Sequence, residues 1–101
     1  SDLPLAMNPE PAGTVNGYWM PTIVSDAATM DRDALLAAFK DAQIDGRVFF
    51  WPLSMLPYFA GRPENRVAAD LYARAINLPT YHDMTDAELD RVVATLRKVL
   101  R

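Results

Sequence analysis

The residues best suited to chemistry gather in one stretch, Gly46-Arg47-Val48-Phe49-Phe50-Trp51-Pro52-Leu53-Ser54-Met55-Leu56-Pro57-Tyr58-Phe59. Arg47 offers a planar guanidinium that can clamp a carboxylate or a diphosphate through two parallel hydrogen bonds. Phe50 and Trp51 offer π faces beside it, so Arg47, Phe50 and Trp51 are the candidate substrate-facing residues. Each has a plainer reading. Arg47 can pair with a surface acid or stack on Trp51. Phe49, Phe50 and Trp51 can fill a core or an inter-domain contact, since burying such a ring stabilises by about 1.5–3 kcal/mol wherever it goes. The stretch holds no nucleophile, base or metal set of its own.

Outside it the chemistry thins out. A Schiff-base lysine must be desolvated and shifted in pKa. Lys40 and Lys98 instead fall near the C-terminal ends of two helical patterns, where a cation complements the helix dipole. His82, the one histidine, lies in the loop Thr80-Tyr81-His82-Asp83 without the neighbours a metal requires, so no metal site is expected. Asp86, Glu88 and Asp90 crowd the first turn of the last helix, which the dipole explains without catalysis.

Composition narrows the class of protein. A chain of 101 residues, half of them hydrophobic and 23% charged, suits one globular domain. The net charge of -3 argues against nucleic acid, which needs clustered Lys and Arg on one face. No apolar run reaches the ~20 residues of a membrane span, and cysteine is absent, which excludes disulfides and thiolate zinc. A cytoplasmic location is the expectation.

The elements that must position the aromatic stretch can be read from pattern. Residues 1–15, with Pro4, Pro9, Pro11 and Gly13, read as an extended linker from an upstream domain or as a frayed terminus, and residues 16–101 as the domain itself. Tyr18 to Val24 suits a first strand, which Pro21 demotes to an edge or a bulge. Asp31 caps a helix carrying Leu35, Leu36, Phe39 and Ala42, stopped by Gly46. Arg47–Trp51 reads as the second strand, and Pro52 and Pro57 make the next segment an irregular loop. A helix from about Glu64 puts Val67, Ala68, Leu71, Tyr72 and Ala75 on one side, the expected core face. Ile76–Pro79 offers a short third strand or a bridge. Thr85-Asp86-Ala87-Glu88 is a capping box opening a last helix with Leu89, Val92, Val93, Leu96 and Leu100 inward and Arg97, Lys98 and Arg101 at its negative end. The sum is an α+β fold, a small, mainly antiparallel sheet with about three helices on one face.

In that order the motifs resemble the C-terminal small domain of the pyridoxal-phosphate-dependent nucleotide-sugar aminotransferases of the DegT/DnrJ/StrS type. The resemblance rests on Asn16-Gly17-Tyr18-Trp19-Met20, Asp31-Arg32-Asp33-Ala34-Leu35, Ile44-Asp45-Gly46-Arg47 before Phe49-Phe50-Trp51-Pro52-Leu53, Leu56-Pro57-Tyr58 and Ala69 to Pro79, and covers about residues 14–100. The phrases Phe-Phe-Trp-Pro-Leu and Ile-Asn-Leu-Pro resemble the subgroup that makes perosamine-like 4-amino sugars. The resemblance implies transfer of an amino group, typically from glutamate, to a keto group of a nucleotide-linked sugar. It places the cofactor lysine, the phosphate loop and the carboxylate facing the pyridine nitrogen in a large domain upstream of Ser1, and implies a parent homodimer. The chain alone is then expected to hold no cofactor and to be inactive, without catalytic residues of its own. Where the family often has histidine after Pro-Leu, this chain has Ser54, which removes any contact made by that imidazole. A free-standing α+β binding or interaction module without catalysis is the alternative.

Overall fold

A computed structural model describes residues 2–26 and 30–100. Four strands, β1 (Leu5–Met7), β2 (Thr22–Ser25), β3 (Arg47–Val48) and β4 (Ala75–Asn77), form one sheet in the order β1-β2-β4-β3, every neighbouring pair antiparallel. Among the described residues three α-helices accompany it, α1 (Arg32–Asp41), α2 (Arg66–Arg74) and α3 (Asp86–Leu100), with a 3₁₀ turn at Leu53–Met55. The α+β class read from the sequence is the observed one.

The core lies between one face of the sheet and two helices. Ile23 and Ile76 sit opposite each other in the β2–β4 register, and Leu35 and Phe39 of α1 with Val92, Leu96 and Leu100 of α3 close over them. Ile23, Leu35, Phe39 and Ile76 are essentially inaccessible to water. At about 25 cal/mol per Å² of apolar surface removed from water, contacts of this kind dominate the stabilisation of so small a fold.

Helix α1 begins where Asp31 accepts the Ala34 amide at 3.0 Å. Its end is not set by Gly46. Ala42 is the C-cap and Gln43 takes the left-handed conformation (φ 56°), so that Gln43 N donates to Lys40 O and Ile44 N to Phe39 O, a Schellman turn. Gly46 has another task. A Cβ built there would run into Cδ2 of the buried Phe39 ring, so the backbone entering β3 lies directly on that ring.

Four further expectations need correction. The first strand starts after Pro21, not at Tyr18, and is interior to the sheet, flanked by β1 and β4. The second strand stops at Val48, because the next pairing would set Phe49 opposite Ala75, where α2 passes straight into β4. The apolar side of α2 is not core: no residue of α2 is buried and Val67 is 74% exposed. The sheet face that it would have covered is already closed by α1 and α3, and only Ala75, already in β4, is buried. Finally, residues 2–15 are not a loose arm, since Leu5–Met7 pair with Ile23–Ser25 and Leu3 and Leu5 pack on the core.

Helix α2 is held instead by arginines. Arg32 Nη1 donates to Tyr72 O at 2.6 Å, with its guanidinium 4.6 Å from the Tyr72 ring centroid, and Arg74 Nη1 donates to Ser25 O at 2.7 Å. Arg91 of α3 reaches Ala42 O at 2.6 Å in the same manner. Tyr72 O and Ala42 O belong to helix ends, where carbonyls have no intrahelical partner.

The capping box of α3 is formed as the sequence indicates. Thr85 N donates to Glu88 Oε2 at 2.8 Å and Glu88 N to Thr85 Oγ1 at 3.3 Å. Arg97 and Lys98 occupy the last turn, while Arg101 lies outside the described residues. A hydrogen bond from Tyr81 and those from Thr85 hold the Glu88 carboxyl down at about 2, from an ordinary 4.5.

These contacts lead to two expected outcomes. Gly46→Ala is expected to lower stability by about 1–3 kcal/mol in urea unfolding, as overpacking a core does. Because the folded pKa of Glu88 is depressed, its contribution is complete above pH 4.5 and fades as the pH falls toward 2. Glu88→Gln should therefore flatten that part of the acid-unfolding profile measured by circular dichroism.

Candidate functional site

Gly46 delivers the chain to the sheet edge, and the residues after it divide between two sides. Arg47 pairs with Asn77 in the register, on the sheet face opposite the Val48–Ile76 pair. Its guanidinium is exposed and grips Asp45 through two nitrogens, Nε to Oδ2 at 3.1 Å and Nη2 to Oδ2 at 2.8 Å. The pairing lowers the pKa of Asp45 through the hydrogen bond from Arg47, and raises that of Arg47 by the same bond. Since the pair lies in open solvent, it anchors Arg47 only weakly.

Arg47 and Phe50 converge on one cleft of about 310 Å³, with Asn77, Asp45 and Thr80 as its other polar or charged walls. Asn77 is 5% exposed although polar. Its Oδ1 accepts from Thr22 Oγ1 at 2.9 Å, while its Nδ2 makes only a long 3.5 Å contact with Val48 O. The Phe50 ring is met edge-on by Phe49 at 5.7 Å, and lies nearly parallel to Trp19, 10° between planes and 6.0 Å between centroids.

Trp51 does not join them. Its ring contacts Tyr72 at 4.7 Å, on the side of α2. Beyond it Leu53, Met55, Tyr58, Phe59 and Val67 are all exposed, and from Leu53 to Val67 nothing is buried. The radius of gyration, 14.8 Å, exceeds the roughly 13 Å of a compact domain this size.

Sequence reasoning missed the loop that presents Trp19. Asn8 turns left-handed (φ 34°) and binds the far end of the loop twice, its Nδ2 donating to Met20 O at 2.8 Å and its Oδ1 accepting from Thr22 N at 2.9 Å. Glu10 Oε2 accepts from Asn16 N at 2.7 Å and from the Tyr18 hydroxyl at 3.3 Å. Asn16 Oδ1 accepts from Tyr18 N at 2.8 Å, which fixes Tyr18 at φ 48°. The available signal was the density of Asn and Glu around Asn16-Gly17, which marks a turn rather than a strand.

The remaining candidates lie where the sequence suggests. Lys40 and Lys98 are exposed in the last turns of α1 and α3, away from the cleft. His82 Nδ1 is 2.7 Å from the Asp83 carboxylate, both groups almost fully exposed. Among the described residues no three His, Cys, Asp or Glu side chains are grouped to hold a metal, and no helix is long and apolar enough to cross a membrane.

With this geometry in view, comparison with known proteins defines the class. Residues 1–97 match the DegT/DnrJ/EryC1/StrS aminotransferase family, and the chain belongs to it. It is 29% identical over 94 residues to the GDP-perosamine synthase of Vibrio cholerae, covering 89% of this chain and 26% of that protein. It is likewise 29% identical over 86 residues to the GDP-perosamine synthase of Caulobacter vibrioides, covering 82% of this chain and 23% of that protein. The crystal structure of the aminotransferase TlmJ from Streptoalloteichus hindustanus shares the fold with a TM-score of 0.81 at 21% identity, over 96% of this chain and 26% of that one. A DegT DnrJ EryC1 StrS aminotransferase from Brucella abortus does so at 0.76 and 20%, with the same coverage. The chain therefore spans about a quarter of the length of the relatives it matches.

The loop makes one prediction for this site. Asn8→Ala strips the Thr22 amide and the Met20 carbonyl of their partners and should cost about 1–3 kcal/mol. Calorimetric melting would register it, and an unchanged melting temperature would show that the loop is held by other contacts.

Proposed function

We propose that this chain is the C-terminal small domain of a pyridoxal-phosphate-dependent aminotransferase that moves an amino group, with glutamate as donor, to a keto group of a nucleotide-linked sugar. The observation that carries the reading is the family match over residues 1–97, on a chain that folds a cleft joining Arg47 to Phe50.

The chain's own residues do not fit the cofactor. A cofactor lysine must be buried beside the reacting carbon, whereas Lys40 and Lys98 are solvated at helix ends. In this reading pyridoxal phosphate is held by a large domain in the remaining three-quarters of the protein, and the full enzyme is a homodimer working in the cytoplasm. The small domain supplies shape and one cation. Arg47 takes an anionic group of the substrate, exchanging Asp45 for it, and Phe50 walls the same cleft. Trp51, on Tyr72, stands with the exposed apolar residues of the 53–67 segment on the side that meets the large domain. Removing those residues from water would supply the contact with free energy that the isolated chain leaves unused.

Arg47→Ala in the full-length protein should raise KM for the nucleotide sugar by about 10- to 100-fold, the worth of a charge-assisted bidentate contact. KM for glutamate should be unchanged. Unaltered KM for the sugar substrate would remove Arg47 from the site.

A further inference from the structure

Against Phe50 of the cleft wall stands a residue that the substrate reading leaves unused. Trp19 is 75% exposed, yet its place is fixed by the hydrogen bonds of Asn8, Glu10 and Asn16 and by a left-handed Tyr18 that a non-glycine residue adopts only at a cost. Backbone strain of this sort persists where surrounding contacts over-determine it, commonly at binding sites. Here it keeps an indole in water against a nearly parallel Phe50 ring. An exposed aromatic pair gains nothing for stability that burial would not give it better.

We propose that Trp19, backed by Phe50, is a stacking platform for the nucleobase of a nucleoside diphosphate whose phosphates are held by Arg47. Three observations favour a small planar ligand over a protein. Phe50 and Arg47 line the same cleft, which places a π face and a cation within reach of one molecule. The amide of Asn77 on its wall belongs to a residue only 5% exposed, yet its nitrogen makes a single contact of 3.5 Å, leaving donor capacity for a polar atom of the ligand. Trp51, the other exposed ring of the stretch, does not line the cleft but lies against Tyr72. Stacking on an aromatic face tolerates any base, so the platform provides affinity while the choice of base falls to polar groups such as Asn77. The proposal rests on the reading of Arg47 as substrate-facing.

The test uses the full-length protein carrying this chain, with GDP, UDP and dTDP titrated calorimetrically and inorganic pyrophosphate as the base-free control. Trp19→Ala should weaken the best-bound nucleotide by about five- to a hundredfold and leave pyrophosphate unaffected. Trp19→Phe should recover most of the loss, and Trp51→Ala should change neither. Circular dichroism of Trp19→Ala should match the parent, since the indole contributes little to the core. Equal nucleotide affinity in Trp19→Ala and the parent overturns the platform while leaving the role of Arg47 intact, provided that Arg47→Ala weakens nucleotide and pyrophosphate together. If none of the nucleotides binds, or Arg47→Ala alters neither ligand, both the platform and the reading beneath it are wrong.

Discussion

The Phe39 ring beneath Gly46 is the contact on which the arrangement of this domain depends. It is fully buried between α1, the sheet and α3, and the backbone at Gly46 rests on it so closely that no side chain fits. The Schellman turn at Ala42–Ile44 brings the chain back over the ring, and β3 begins one residue after Gly46, at Arg47. The height and direction of Arg47 are thus set by core packing rather than by the loop beyond it. Two residues of pairing with β4 suffice to hold it.

From that fixed start, polar devices do what apolar packing does elsewhere. Arg32, Arg74 and Arg91 join elements by donating to main-chain carbonyls, and the first two let α2 stand beside the sheet without burying a residue. Asn8 closes the loop before β2 through two main-chain contacts. This has a consequence for shape: the segment 53–67 keeps its apolar residues at the surface, and the Trp19–Phe50 pair stays accessible beside Arg47.

The local part of the fold is legible in the sequence. Asp31 and the Thr85–Glu88 box signal helix starts because their bonds span three residues, and both helices begin where those signals lie. The end of α1 reads as Gly46, the visible breaker, because nothing marks Gln43 as left-handed. Tyr18, Trp19 and Met20 have strand propensity, but bonds from Asn8, up to 14 residues away, pull them into a loop. Strand β1 is hidden for the same reason, since Leu5-Ala6-Met7 is too short to show alternation and gains its structure from β2. Periodicity identifies the apolar side of α2 but cannot say that other helices already cover the sheet. Of the site, Arg47 and Phe50 are legible as residue types; that they share a cleft with Asn77, and that Trp51 turns to Tyr72, depends on tertiary placement.

The central proposal is that the Phe39–Gly46 contact aims Arg47 into a cleft where an anionic substrate would replace Asp45. A crystal structure of the full-length protein with a nucleotide sugar bound tests it most directly. The account predicts the Arg47 guanidinium within about 3.2 Å of ligand oxygens, with Asp45 released and Phe50 against the ligand. A ligand bound elsewhere, with Arg47 still on Asp45 and the cleft open to solvent, would contradict it.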